Sequence, residues 1–156
     1  MESRRHLRHA FAAIAVACGL LGLAGCTSRT DVGVTGAAPA DVAHLWVTVE
    51  EIWFAASADT PSHSDLGWTR EKLSAPVVID LADDDAGALV PLVTSLRVPA
   101  GRYRQLHLAV ADAGDRLLDE ARAAGLDYNA QIEFIDDSGS ITRAPLELPV
   151  PRAGLT

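Results

Sequence analysis

A run of residues that alternates apolar and polar side chains at period two constrains this chain more than any other feature. From Ala43 onward, Leu45, Val47 and Val49 fall on one face while His44, Trp46, Thr48 and Glu50 fall on the other. That is the pattern of a strand with one face buried. A helix, repeating every 3.6 residues, would mix the two sets, so the segment commits the chain to a sheet. A second alternation runs through Tyr103, Gln105, His107, Ala109 and Ala111 on one side and Arg104, Leu106, Leu108 and Val110 on the other. The set Leu106/Leu108/Val110 marks its buried face and predicts a central strand.

The remaining segments fit around these two. Ile52-Trp53-Phe54-Ala55 extends the first strand after a bulge, and the Ser/Asp/Pro/His stretch from Ser57 to Asp65 reads as an exposed loop. Trp68 to Leu73 reads as a second strand. Pro76-Val77-Val78-Ile79-Asp80-Leu81 is a compact apolar run closed by Asp83-Asp84-Asp85, and Leu89 to Leu96 is a further extended segment ending in a turn at Pro99-Ala100-Gly101. One helix is expected, over Asp115 to Ala124, with Leu117, Leu118, Ala121 and Ala124 on one side and Gly125 as its stop. A late hairpin pairs Gln131–Ile135 with Ser140–Leu148 across Asp136-Asp137-Ser138-Gly139. Short strands spaced near ten residues apart predict a mainly β fold, an antiparallel β-sandwich (prealbumin-like or immunoglobulin-like) with one short helix.

The N-terminus has a different character. Arg4, Arg5 and Arg8 precede an apolar core from Ala10 to Leu23, and Leu23-Ala24-Gly25-Cys26 follows. The core is shorter than the roughly 20 residues a permanent span requires, so it reads as an export signal, not an anchor. Small Ala24 and Gly25 admit a peptidase to the bond between Gly25 and Cys26. The four residues resemble a bacterial lipobox, which implies a diacylglycerol thioether on Cys26 and a fatty acid such as palmitate on its freed amine. The alternative is an ordinary secretory signal, which would leave Cys26 as a lone thiol in an oxidising compartment. Ser3-Arg4-Arg5-His6-Leu7 resembles part of a twin-arginine export motif, with Arg8 where that pattern carries an apolar residue. Cys18 leaves with the signal, so no disulfide can form within the processed chain. Thr27 differs from the aspartate that retains inner-membrane lipoproteins, so the expected address is the bacterial cell envelope, with the outer membrane favoured.

Thirteen basic and 21 acidic side chains give a formal charge of −8. Loss of residues 1–25 removes three arginines and one glutamate, a net of two positive charges, and deepens this to −10. A charge of that sign disfavours nucleic acid and anionic lipid as partners of the chain as a whole. The expected organisation is a signal peptide over 1–25, a lipidated cysteine with a flexible tether over 26–41, and one β-sandwich domain over 42–156. Thr27 to Asp41, small, polar and Gly/Ala/Pro-containing, has the composition of a tether.

Several of these segments also carry a family resemblance. Trp68 ahead of Val77-Val78-Ile79-Asp80-Leu81, followed by Val98-Pro99-Ala100-Gly101-Arg102-Tyr103-Arg104-Gln105-Leu106-His107-Leu108, resembles the family called domain of unknown function 4382. The resemblance spans about Asp41 to the end and implies a bacterial envelope lipoprotein with a β-sandwich. Its sharpest piece is the Pro-Ala-Gly-x-Tyr turn, in which Pro99 fixes φ, Gly101 permits the turn, and Tyr103 packs while its hydroxyl reaches backbone. His107 departs from the family, which tends to have arginine there. Pro149 to Thr156 resembles the start of a final family strand that then stops, so truncation at the C-terminal end is expected.

Chemistry-bearing residues are sparse. Asp83-Asp84-Asp85 with Asp136 and Asp137 could offer oxygen ligands to Ca²⁺ without matching an EF-hand spacing, and a solvated turn is the plainer reading. His44, His63 and His107 lack the paired spacing of a zinc site. His63-Ser64-Asp65 holds the residue types of a hydrolytic triad, but neighbours in sequence do not make triad geometry. Trp46, Trp53 and Trp68 could form a sugar-stacking platform, although core packing is the commoner use of a strand tryptophan. The functional expectation is a lipid-anchored, non-enzymatic envelope protein that binds or braces an unknown envelope protein or glycan, with no cofactor and no catalytic or metal residues. A carbohydrate- or calcium-binding module is the alternative, and a hydrolase comes last.

Overall fold

The computed structural model describes residues 26–36, 39, 41–60, 67–82, 89–136, 138–147 and 154–155. The expected signal peptide with Gly25, the His63-Ser64-Asp65 run, Asp83-Asp84-Asp85 and Asp137 lie outside the described residues. The elements are strands β1 (Thr27–Val34), β2 (Val42–Ala55), β3 (Trp68–Asp80), β4 (Val90–Pro99) and β5 (Gln105–Val110), helix α1 (Asp119–Ala123), and strands β6 (Ala130–Ile135), β7 (Ile141–Pro145) and β8 (Gly154–Leu155). The chain is mainly β, its sheets are antiparallel, and the helix is short, consistent with a β-sandwich.

The 14-residue strand β2 organises the larger sheet. On one edge it pairs with β3, from Trp46 opposite Asp80 to Ala55 opposite Trp68. Its other edge is shared by two strands: β6 takes Val42–Val47, and β5 takes Val49–Ala55. Both the β3 and the β5 ladder shift register between Val49 and Glu51, where the sequence pattern expects the bulge. The bulge keeps Val47, Val49, Ile52 and Phe54 together in the core. β7 then pairs outside β6, and β8 outside β5.

The sequence reads Trp68–Leu73 and the apolar run from Pro76 as separate pieces, whereas they form the single strand β3. Val49 faces Val77 and Glu51 faces Lys72, so Leu73, Ser74, Ala75 and Pro76 leave the ladder together. Pro76 has no N–H to give, and an unpaired excursion is where a sheet accommodates proline. Leu73 uses the excursion to enter the core, at 7% exposure.

The second layer is the two-stranded sheet of β1 and β4. Here the expected tether is corrected over its first part, because Thr27 to Val34 form a strand that pairs with β4 from Thr27/Pro99 to Val34/Val90. Composition misled because only Val32 and Val34 are large and apolar. A neighbour with Leu92 and Val98 already facing inward supplies the ladder and covers Val32. At the irregularity in this pair the Asp31 carboxylate accepts the backbone N–H of Ser95 at 2.7 Å, and Ser95 is held at φ 57°. The core lies between the layers, where Val32, Leu92 and Val98 meet Val47, Val49, Ile52, Phe54, Ile79, Leu108 and Val110.

The helix begins at Asp119, four residues later than the pattern predicts. The preceding turn is claimed by Asn129, whose side chain is fully buried. Its Nδ2 donates to the carbonyls of Asp112 and Arg116, at 3.1 and 3.2 Å, and its Oδ1 accepts Leu118 N–H at 2.8 Å. Carbonyls held this way do not start an i→i+4 ladder. Gly125 ends the helix at φ +79°, as expected of a C-terminal glycine. Among the described residues no helix is long and apolar enough to cross a membrane.

Candidate functional site

Three places bring together the residues singled out in the sequence. The first is the end of the sandwich where Cys26 lies. Cys26 is exposed, and its carbonyl accepts the N–H of Ala100 at 2.7 Å, which fastens it to the Pro99-Ala100-Gly101 turn. Tyr103 behaves as expected: its hydroxyl donates to the Pro99 carbonyl at 2.6 Å, and its ring packs on Phe54 with centroids 5.3 Å apart. Gly101 serves differently from expectation. It is not among the described glycines with positive φ, and a Cβ there would meet the Tyr103 ring at ordinary contact distance. Just beyond the turn, Arg104 N–H donates to the Ala55 carbonyl at 2.8 Å, so the C-terminal end of β2 reaches the same end of the molecule. A groove of about 510 Å³ opens here between the two layers, with Ser28, Arg29 and Thr30 on one wall and Tyr103, Arg104 and Gln105 on the other.

The second place is the outer face of the larger sheet, where Arg70, Trp53 and His107 occupy one cross-strand row. The Trp53 and His107 rings stack with centroids 4.9 Å apart, and the Arg70 guanidinium sits 4.0 Å above the Trp53 ring. Trp68 joins from the next row, 6.1 Å from Trp53 and 5.6 Å from His107. Trp53 Nε1 donates to Glu51 at 2.8 Å. At 5% and 1% exposure, Trp53 and His107 offer little face to a ligand, so this cluster is packing, held by stacking and cation–π contact. It also gives β5 two buried faces where the sequence reading has one.

The third place is near the start of β2. His44 Nδ1 lies 2.6 Å from the Asp80 carboxylate, which also accepts the N–H groups of Leu45 and Ala82 at 2.9 Å. The His44 ring stacks on Trp46 at 5.4 Å. Trp46 is therefore separate from the Trp53/Trp68 pair, and the three tryptophans form no common platform. His44 and His107 likewise belong to different clusters. Among the described residues no group of three or more His, Cys, Asp or Glu side chains is placed to hold a metal ion.

Asp136, the described member of the proposed calcium set, caps its own hairpin. Its carboxylate accepts from the Ser138 hydroxyl at 2.6 Å and from the N–H groups of Ser138 and Ser140 at 2.8 and 2.9 Å. The Ser138 hydroxyl, followed by the Ser140 N–H, holds its pKa below the ordinary 3.8. Above this turn Ile135 and Ile141 face each other across β6 and β7, 46% and 56% exposed.

What sequence reasoning missed is a pairing of arginines near Cys26. Arg29 of β1 lies directly opposite Arg97 of β4, and both are exposed. Their proximity depends on β1 being a strand, and a segment read as a tether gives no sign of it.

Residues 27–153 match the model of a family described as a domain of unknown function (DUF4382). No curated protein and no solved structure matches the chain.

Proposed function

The chain belongs to the domain of unknown function family DUF4382, and from that premise we propose that it is a non-enzymatic, lipid-anchored protein of the bacterial cell envelope. The observation that carries this reading is the lipobox Leu23-Ala24-Gly25-Cys26 at the end of an export signal, with Cys26 exposed immediately before the first strand. On this reading Cys26 carries diacylglycerol, the outer membrane is the favoured location, and the sandwich is presented at the bilayer surface.

The end remote from Cys26 then faces outward as the binding end. Val42, at the start of β2, pairs with Phe134, and Ile135 N–H donates to the Asp41 carbonyl. Ala55, at the other end of β2, adjoins the Cys26 turn through Arg104. A strand of 14 residues separates the two ends by roughly 40 Å. Exposed Phe134, Ile135 and Ile141 gather on the remote hairpin, a composition suited to contact with an envelope protein. The alternative, a carbohydrate- or calcium-binding module, is less well supported, since Trp46 stands apart from Trp53 and Trp68 and Asp136 is engaged by its own turn.

The test is the intact mass of the protein extracted from bacterial membranes in detergent. A chain beginning at Cys26 with added diacylglycerol and acyl mass is the expected result. A processed chain with an unmodified N-terminus would overturn the anchor.

A further inference from the structure

We propose that the Cys26 end of the sandwich is itself a membrane-contact surface, on which Arg29, Arg97, Arg102 and Arg104 bind the phosphate groups of anionic phospholipids. This deepens the lipid-anchor reading and rests on it for the orientation of the domain.

The first observation is the arginine pair. Residues directly opposite in an antiparallel ladder have Cβ atoms about 5 Å apart, and like charges in that position repel. Arg29 and Arg97 accept this cost, both are exposed, and neither forms an ion pair with an acid among the described residues. An anion lying across both guanidinium groups removes the repulsion, and the planar fork of arginine matches phosphate oxygens.

The second observation is where the arginines sit. Arg29 is three residues along β1 from Cys26, a rise of roughly 10 Å. Arg102 belongs to the turn whose Ala100 is bonded to Cys26, and Arg104 follows it, sharing the wall of the inter-layer groove with Arg29. All four are exposed and lie within one end of the molecule. A diacylglycerol on Cys26 would bring that end to the headgroup layer.

The third observation is polarity. Asp41, Asp80 and Asp136 lie toward the start of β2 or at the hairpin paired with it, away from Cys26. Nearer Cys26, Asp31 is engaged by the Ser95 N–H and Asp59 follows Ala58, whose carbonyl accepts the Gln105 side chain, so the four arginines outnumber these two acids. Fields at an anionic leaflet decay over about 8 Å at physiological salt. The arginines begin within about 10 Å of Cys26, comparable with that length, while acids roughly 30–40 Å away lie several such lengths beyond it. A chain of strongly negative net charge can therefore hold a basic end against an anionic membrane.

The experiment uses the mature protein purified from membranes and reconstituted into vesicles of phosphatidylcholine alone or of phosphatidylcholine with phosphatidylglycerol. Backbone hydrogen exchange at Gly101 to Arg104 is the readout, and Ile135 to Ile141 provides the internal reference. Phosphatidylglycerol is expected to slow exchange in the first segment only. The effect should vanish in about 1 M NaCl, where the Debye length is about 3 Å, and should shrink sharply in Arg29→Gln/Arg97→Gln, which keeps Arg102 and Arg104 and whose reference segment reports an intact fold; an undiminished effect in that variant would overturn the proposal. Equal exchange in the two vesicle types would overturn the proposal. So would equal slowing by inorganic phosphate over phosphatidylcholine, which would make the arginines a free-anion site. The mass of the same preparation separates the two readings. If Cys26 is unmodified, the anchor fails, and sedimentation of that protein with phosphatidylglycerol vesicles at low salt decides the surface. Pelleting that drops about fivefold for each arginine removed supports the surface, and no pelleting overturns it.

Discussion

Replacing Asn129 with alanine is the sharpest test of how the connection between β5 and β6 is built. The Asn129 side chain is fully buried and makes bonds of 2.8, 3.1 and 3.2 Å to Leu118 N–H and the carbonyls of Asp112 and Arg116. A net hydrogen bond is worth about 1 kcal/mol, and buried partners left unpaired raise the cost of deletion. Three bonds therefore place the loss near 3 kcal/mol, a large share of the 5–15 kcal/mol typical of a domain. For a chain of this size that corresponds to a fall in Tm of about 10 °C. Urea denaturation measures it, with an unchanged m-value as the sign that only the native contacts have changed. Asn129→Asp adds a discriminating arm. Its carboxylate can still accept from Leu118 but faces two carbonyl oxygens with no proton to offer, so at neutral pH it should cost at least as much as alanine. A loss below about 1 kcal/mol for Asn129→Ala would mean that water replaces the side chain and that Asn129 does not set where the helix starts.

Three further outcomes follow from the geometry. Tyr103→Phe removes the hydroxyl bonded to Pro99 while keeping the ring on Phe54, so it should cost about 1 kcal/mol in equilibrium denaturation; a neutral result would show that the turn does not need the bond. Trp53→Ala opens the outer-face cluster beneath Arg70 and beside His107 and should cost about 3–5 kcal/mol, read by the same method. Asp136 has a lowered pKa in the folded state, so its contribution is present at and above the ordinary carboxylate range and is lost as pH falls through the lowered value. Protection of the Ser138 and Ser140 amides, meaning the exchange rate relative to the intrinsic rate at each pH, should fall as acid protonates Asp136, and Asp136→Ala should leave both amides equally unprotected across that range.

The larger sheet was legible wherever one face alternates with the other. β2 with its bulge, β5 and the β6–β7 hairpin follow from periodicity, and the Tyr103 hydroxyl contact follows from the turn motif. Reading failed where a tertiary partner decides the outcome. Thr27–Val34 carries too few apolar residues to announce a strand and becomes one because β4 offers an edge and a buried face. Lys72 and Val77 face Glu51 and Val49, only two positions apart on β2, although four residues separate them, so a single strand looks like two. The late start of the helix depends on Asn129, a long-range partner that helical periodicity from Asp115 does not reveal. His107 shows the same limit at side-chain level. Its alternation places it on the face opposite Leu106 and Leu108, but that face is buried by Trp53 and Trp68 from other strands.

The loss of the expected tether changes what a lipid on Cys26 would do. A flexible run of about 15 residues lets a domain wander roughly 20 Å from its anchor, and its orientation is then free. With β1 starting at Thr27 and Cys26 already bonded to Ala100, the anchor and the sandwich share one end with no slack between them. A lipid there would fix position and also limit tilt, because a rotation that lifts Arg102 and Arg104 from the headgroups strains the chain within a residue or two. Orientation then has two sources, the covalent attachment and the arginines, that act on the same end and fail independently. Insertion of a Gly/Ser run between Cys26 and Thr27 separates them. Attachment would persist while contact at Gly101 to Arg104 came to depend on salt and on anionic lipid alone. If contact at that turn persisted unchanged in high salt after the insertion, neither the short anchor nor the arginines would be what orients the domain.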